Sequence, residues 1–264
     1  MENKVPIMSE VAAKGEKIDI LFWVGCAGSF DERAQKITKS ITAILSHVGM
    51  KYAILGGEES CTGDPAKRAG HEFLFQMQAM TNIQVLNSYD VKKIVTGCPH
   101  CFNTLKNEYP ELGGKYEVIH HTELIAQLIK EGKLKTADGQ PFKGKKITYH
   151  DPCYLGRANN VYEAPREALE ALDADLTEMK RCKTNGLCCG AGGGQMFKEA
   201  EKGTKDINIE RVEEALGTNP SIIAAGCPFC MTMLSDGVKH FEKEAVVEVK
   251  DIAEITAEAL GLKK

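Results

Sequence analysis

Long apolar runs are missing from this chain of 264 residues. No stretch approaches the roughly 18 apolar residues that a helix needs to cross a bilayer, so no membrane span is expected. Residues 1–17 mix lysine with glutamate and lack the apolar core of a secretory signal, which makes the cytoplasm the expected location. An excess of positive charge is missing too. The 33 basic residues against 37 acidic ones leave a net charge of −4 with no basic stripe, which argues against nucleic acid as a partner. No GxGxxG opens a helix, and neither GxSxG nor HExxH occurs, so the usual dinucleotide, serine-hydrolase and zinc-protease readings drop out.

What the chain does have is ten cysteines, and nine of them form a repeat. Cys26, Cys61, Cys98 and Cys101 recur 127 or 129 residues later as Cys153, Cys188, Cys227 and Cys230. The second set adds Cys189, where the first has Thr62. Cys182 falls outside the pattern and is expected to be an unliganded thiol. The length suits two domains of about 130 residues, each able to bury a core. The repeat places them at 1–135 and 136–264. Because the cytosol keeps thiols reduced, CxxC spacing there points to metal ligands or redox groups rather than structural disulfides.

Strands alternate with helices, the pattern of an α/β fold with a mostly parallel sheet flanked by helices. In the first half, apolar runs at 18–24, 52–55, 94–96 and 117–120 predict strands. Ile37, Ile41, Ile44, Leu45 and Val48 share a helix face, residues 72–86 read as helical, and a helix bearing Leu124, Ile125, Leu128 and Ile129 ends at Gly132. A lysine-rich linker, 133–146, contains Gly139, Pro141 and Gly144. The second half replays the order with strands at 147–150, 175–179, 222–225 and 246–249, and helices at 165–172, 206–216 and 252–260. Two pseudo-symmetric modules are therefore expected. Each repeat cysteine falls on a loop after a strand, and in a parallel sheet those loops share one edge and form a crevice.

The residues leave three chemistries open. Four thiolates suit a structural zinc site, although zinc ribbons usually pair two CxxC knuckles, and each half here has one. An isolated redox dithiol fits less well, given Pro within each CPxC and further thiols in each set. Sets of four and five suit an iron–sulfur cluster. Pro99 and Pro228 fit the first turn of a helix, which would put Cys98 and Cys227 at helix N-termini that favour thiolate. The glycines of 190–194 would let backbone N–H groups approach sulfur.

The order Cys153, Cys188-Cys189-Gly190, Cys227-Pro228-Phe229-Cys230 resembles the CCG motif of the heterodisulfide reductase family. The resemblance runs from residue 18 to residue 260 as two modules in tandem. In that family the complete motif holds a noncubane 4Fe-4S cluster able to do disulfide chemistry, which here implies Cys153, Cys188, Cys189, Cys227 and Cys230 as its ligands and redox centre. The first module departs from the pattern at Thr62. Cys26, Cys61, Cys98 and Cys101 are left to bind a second 4Fe-4S cluster or zinc, and the noncubane chemistry does not carry over to them. The stretch from Gly63-Asp64-Pro65 through Arg68 to Gly70 resembles larger members that fuse a ferredoxin-like domain ahead of the modules. No CxxCxxCxxxCP run is present, so the expectation is that a partner delivers the electrons.

The resemblance implies an electron-transferring oxidoreductase subunit, not self-sufficient as an enzyme. It would take electrons from a flavoprotein or ferredoxin-like iron–sulfur partner and pass them to a disulfide, or to a membrane-linked quinone-reducing partner. The alternative is a zinc-stabilised scaffold in a dehydrogenase complex. Around the cysteines, His150, Asp151 and Arg157 are expected to pack and hydrogen-bond, and His120 and His121 to cap or pack. His100 is replaced by Phe229 in the second module, so a module does not require it. Trp23 reads as core or as a cover over the first set.

Overall fold

A computed structural model describes residues 5–135, 141–199 and 202–262. The first half runs α1 (Met8–Ala13), β1 (Ile20–Trp23), α2 (Gly25–Phe30), α3 (Glu32–His47), β2 (Tyr52–Ala53), α4 (Asp64–Arg68), α5 (Glu72–Ser88), β3 (Lys93–Thr96), α6 (Pro99–Asn103), β4 (Glu117–His120) and α7 (His121–Lys130). The second runs β5 (Lys146–Tyr149), α8 (Glu163–Glu170), β6 (Asp175–Leu176), α9 (Ile207–Leu216), β7 (Ile222–Ala225), α10 (Pro228–His240), β8 (Glu248–Asp251) and α11 (Ile252–Ala259).

Each half builds one four-stranded parallel sheet, in the orders β2-β1-β3-β4 and β6-β5-β7-β8. Leu21 lies opposite Ile94, and Ile147 opposite Ile222. Central strands of such sheets are covered on both faces and so read as unbroken apolar runs. Ile-Leu-Phe-Trp in β1 and Ile-Ile-Ala-Ala in β7 are buried throughout. The chain leaves the central strand towards β2 in one direction and crosses to β3 in the other, and that reversal opens a crevice at the carboxyl ends. Cys26 follows β1 and Cys98 follows β3; Cys153 and Cys227 sit likewise.

The halves are not separate bodies, because one apolar cluster joins them. Ile37 and Ile41 of α3 and Leu124 and Leu128 of α7 belong to the same core as Leu169 of α8 and Ile252 and Ile255 of α11. Arg33 adds an ion pair to Glu254 at 2.7 Å and donates to the carbonyl of Val249 at 2.9 Å. Deeper, the ring of His121 meets Asp251 at 2.9 Å, both fully enclosed. Capping explains that meeting. His120 and Asp251 are equivalent N-caps at the starts of α7 and α11, each completed by a glutamate three residues on, Glu123 and Glu254.

Some expected boundaries move. The last strand is Glu248–Asp251 rather than 246–249, because Val246 and Val247 both hydrogen-bond back to the carbonyl of Lys243 and remain in a turn. Strand β2 stops at Ala53, since Ile54 bridges to Ile7 in the segment leading into α1. Within the linker, residues 136–140, including Gly139 and one side of the expected domain division, lie outside the described residues. The flanking linker is not wholly solvated. Leu134 and Phe142 both enter the shared core, and burying a side chain such as Phe142 contributes about 1.5–3 kcal/mol.

Candidate functional site

The crevice of the second half collects five thiols. Cys153 follows β5, Cys188 and Cys189 come from the long loop after β6, Cys227 caps α10, and Cys230 lies in its first turn behind Pro228. Cys189 and Cys230 approach to 3.3 Å between Sγ atoms. Cys153 and Cys188, Cys188 and Cys189, and Cys227 and Cys230 are near enough to shift one another's protonation. In the first half Cys26 and Cys61 shift each other's protonation, as do Cys98 and Cys101, and Cys101 feels the charge of both Cys26 and Cys61. The fifth place is taken by Thr62, whose hydroxyl lies 3.9 Å from Cys101 Sγ, as Cys189 lies against Cys230.

Local structure fixes these positions. Helix α2 was not anticipated: Cys26 lies in its first turn rather than on a loop, and Cys101 and Cys230 are likewise helical. The N-terminus of α2 leaves N–H groups unpaired, and the Glu59 carboxylate takes those of Val24 (3.0 Å) and Gly25 (2.5 Å). Burial raises the Glu59 pKa, the two N–H groups lower it, and the balance is about 7. Gly25 has φ +78° and passes so near Cys101 that a Cβ there would lie 3.2 Å from Sγ. Asn82 holds the Cys61 loop through the carbonyl of Cys61 (3.0 Å) and the hydroxyl of Ser60 (2.9 Å). Two residues past each loop cysteine a glycine N–H faces sulfur, Gly63 to Cys61 at 3.5 Å and Gly190 to Cys188 at 3.3 Å. Gly193 and Gly194 adopt positive φ in open space and only shape the turn.

Crowding polarises the thiols. Hydrogen bonds from Cys153 and Cys189 hold Cys188 far below an ordinary thiol, and the same bond to Cys188 holds Cys153 high. In the first set the hydrogen bond with Cys26 lowers Cys61 to about 6, and the one with Cys101 lowers Cys98 to about 7. Sulfurs grouped in this way, some buried and some part-buried, are a soft donor set that a cationic centre would satisfy. Together with the backbone N–H donors, they fit an iron–sulfur group.

Beyond the thiols, His100 stands between the two sets. Its Nδ1 meets Asp64 at 2.9 Å, and its ring centre lies 4.4 Å from that of Tyr154 and 5.2 Å from that of Phe229, so the two CPxC turns face each other. Burial lowers its pKa, but Asp64 and the thiolates of Cys98 and Cys227 raise it to about 9. Asp151 is structural: Arg166 grips both its oxygens, at 2.8 and 3.0 Å. Arg157 donates to the carbonyl of Gly186. Cys182 stays apart from the five, near Glu178. Trp23 is fully buried and packs with Cys98 and Cys101. Sequence reasoning missed Glu59, the Asp64–His100 pair and Arg211, a wholly buried residue of α9 whose Nε reaches His150 Nδ1 at 2.9 Å. Glu59 carried a faint signal, an acid two residues before a repeat cysteine with no counterpart at Gly186; Arg211 carried none.

The cysteine-rich domain family CCG matches the chain twice, over 20–106 and 147–235. The probable iron-sulfur-binding oxidoreductase FadF of Bacillus subtilis is 48% identical over 98% of this chain. The EtfAB:quinone oxidoreductase of Syntrophomonas wolfei is 44% identical over 93% of it, and one subunit of the dihydromethanophenazine:CoB–CoM heterodisulfide reductase of Methanosarcina barkeri 38% over 94%. This chain spans 36%, 35% and 60% of those proteins, respectively. The crystal structure of a hypothetical protein from Helicobacter pylori shares the fold at a TM-score of 0.57 and 10% identity, covering 93% of this chain and 49% of that one. Among the described residues no helix is long and apolar enough to cross a membrane. Repeated sheets, repeated thiol sets and both family matches agree that this chain belongs to the CCG cysteine-rich domain family and carries that domain in two tandem copies.

Proposed function

We propose that the chain is the iron–sulfur electron-transfer part of a heterodisulfide reductase-like oxidoreductase, with modules at 1–135 and 136–264. Cys153, Cys188, Cys189, Cys227 and Cys230 hold a 4Fe-4S cluster, of the noncubane kind, and form the redox centre. Cys26, Cys61, Cys98 and Cys101 hold a second centre, a 4Fe-4S cluster or zinc. The observation that carries this reading is the arrival of five cysteines from three strand ends at one crevice, with the Sγ atoms of Cys189 and Cys230 3.3 Å apart and the others near enough to shift a neighbour's protonation. When bound, such a cluster supplies electron transfer at a potential set by its charge, burial and hydrogen bonds. The protein's part is to fix the thiolates, keep water out and aim N–H groups at sulfur. His100, with Tyr154 and Phe229, stands between the two sets.

Electrons come from a flavoprotein or a ferredoxin-like subunit and pass to a disulfide or to a membrane-linked quinone-reducing partner. The names of the relatives, a quinone oxidoreductase and a heterodisulfide reductase subunit among them, support that range. The test is electron paramagnetic resonance on anaerobically purified protein, titrated with dithionite and then with disulfides. A paramagnetic cluster that responds to the acceptor is expected in at least one state. A protein silent in every state would refute the proposal.

A further inference from the structure

Three residues before the first cysteine of each half stands a ring nitrogen that the protein leaves unsatisfied. Trp23 Nε1 and His150 Nε2 are both buried without a hydrogen-bond partner. An orphaned buried donor is costly to the fold. Its recurrence at equivalent places in two modules marks a position that expects an acceptor. Indole nitrogen can only donate. For His150 the same conclusion follows from its neighbours.

His150 lies at the end of β5, 1% exposed, with a ring nitrogen within 4.8 Å of the Sγ atoms of Cys189 and Cys230. Its Nδ1 faces Arg211 Nε at 2.9 Å. A guanidinium only donates, so Nδ1 must accept, and the proton of the imidazole sits on Nε2. Arg211 cannot turn away, because the Arg181 carbonyl (2.8 Å) and Glu214 (3.2 Å) hold it. Rotating the imidazole by half a turn would set a C–H against the guanidinium. Binding a metal through Nε2 would require a lone pair there and push the proton to Nδ1, donor against donor. His150 is thus unsuited to be a ligand and suited to be a donor.

We propose that His150, locked by Arg211, donates its Nε2–H to a sulfur of the second-module cluster and acts as a positioning residue that sets that cluster's potential. This rests on the cluster assignment made above. A hydrogen bond to cluster sulfur favours the electron-richer state and raises the potential. Trp23 supplies the corresponding donor in the first module.

The experiment uses the full chain, purified anaerobically, with 15N-labelled histidine for pulsed paramagnetic resonance. It also compares redox titrations of wild type, His150→Phe and His150→Gln. Expected are a weak nitrogen coupling of a non-ligand and an exchangeable proton near the cluster. At a fixed potential, His150→Phe should lower the reduced-to-oxidised ratio of the second cluster about tenfold, which for a one-electron couple is 59 mV. His150→Gln, which keeps a donor, should recover part of that shift, and the first module should not respond. A strong coupling of directly bound nitrogen, or a second cluster intact in His150→Phe with an unmoved potential, would overturn the inference. If the phenylalanine variant loses its cluster, the wild-type coupling and the potential of the glutamine variant decide between donor and ligand. A wild-type protein without iron in the second module would instead bring down the cluster assignment itself.

Discussion

The two halves each build a parallel sheet of the same strand order with matching cysteine-bearing turns, yet they differ at the few atoms nearest the sulfurs. The second module has Cys189 against Cys230, where the first has the Thr62 hydroxyl against Cys101. His150 backed by a buried arginine occupies the place of Trp23. Glu59 braces the turn before Cys26, and among the described residues no carboxylate does the same before Cys153, where Asp151 is committed to Arg166. A rigid parallel sheet thus fixes where thiols arrive, while single substitutions at the crevice decide how many arrive and what faces them. One frame can hold two centres of different character.

The difference is most open to attack at the fifth thiol. Cys189→Ser is expected to abolish or transform the second cluster while leaving the first intact, read by paramagnetic resonance and by iron bound per chain. An unchanged spectrum would mean that Cys189 is not a ligand. The converse change, Thr62→Cys, restores the missing thiol opposite Cys101. It should give the first module spectral features of the second; a spectrum identical to wild type would show that a fifth thiol does not set cluster type.

The frame was largely legible in the order of residues. Period and apolar runs located β1, β7 and the buried face of α3, because those elements are covered on both sides or on one clear stripe. The correspondence of the two cysteine sets was legible for a related reason: nearly equal spacing in two halves calls for matching turns at the same strand ends. What escaped was set by tertiary closure. Helix α2 exists because Glu59, more than thirty residues away, caps it. Arg211 sits on a helix whose charges otherwise read as a solvated face, and its partners His150 and the Arg181 carbonyl are distant in sequence. His100 gained a role from its partners Asp64 and Tyr154 and not from its own motif, since Phe229 fills the matching place.

Two smaller effects sharpen the comparison. His121→Ala removes one partner of the enclosed contact with Asp251 that ties the modules together. It should cost about 1–3 kcal/mol, seen as a lower midpoint in denaturant. A midpoint equal to wild type would show that the shared apolar core alone sets the docking. Cys182→Ser should change neither cluster nor stability beyond about 0.5 kcal/mol, since that thiol touches neither set. Loss of iron in this variant would assign Cys182 a place among the ligands.

The most direct measurement is a joint assay of iron, zinc and acid-labile sulfide on anaerobically purified protein. Iron and sulfide in equal amounts, at least four of each per chain, are predicted, with any zinc confined to the first module and therefore retained in Cys189→Ser. Protein holding zinc without iron or sulfide, or holding no metal and cycling two thiols to a disulfide, would contradict the account.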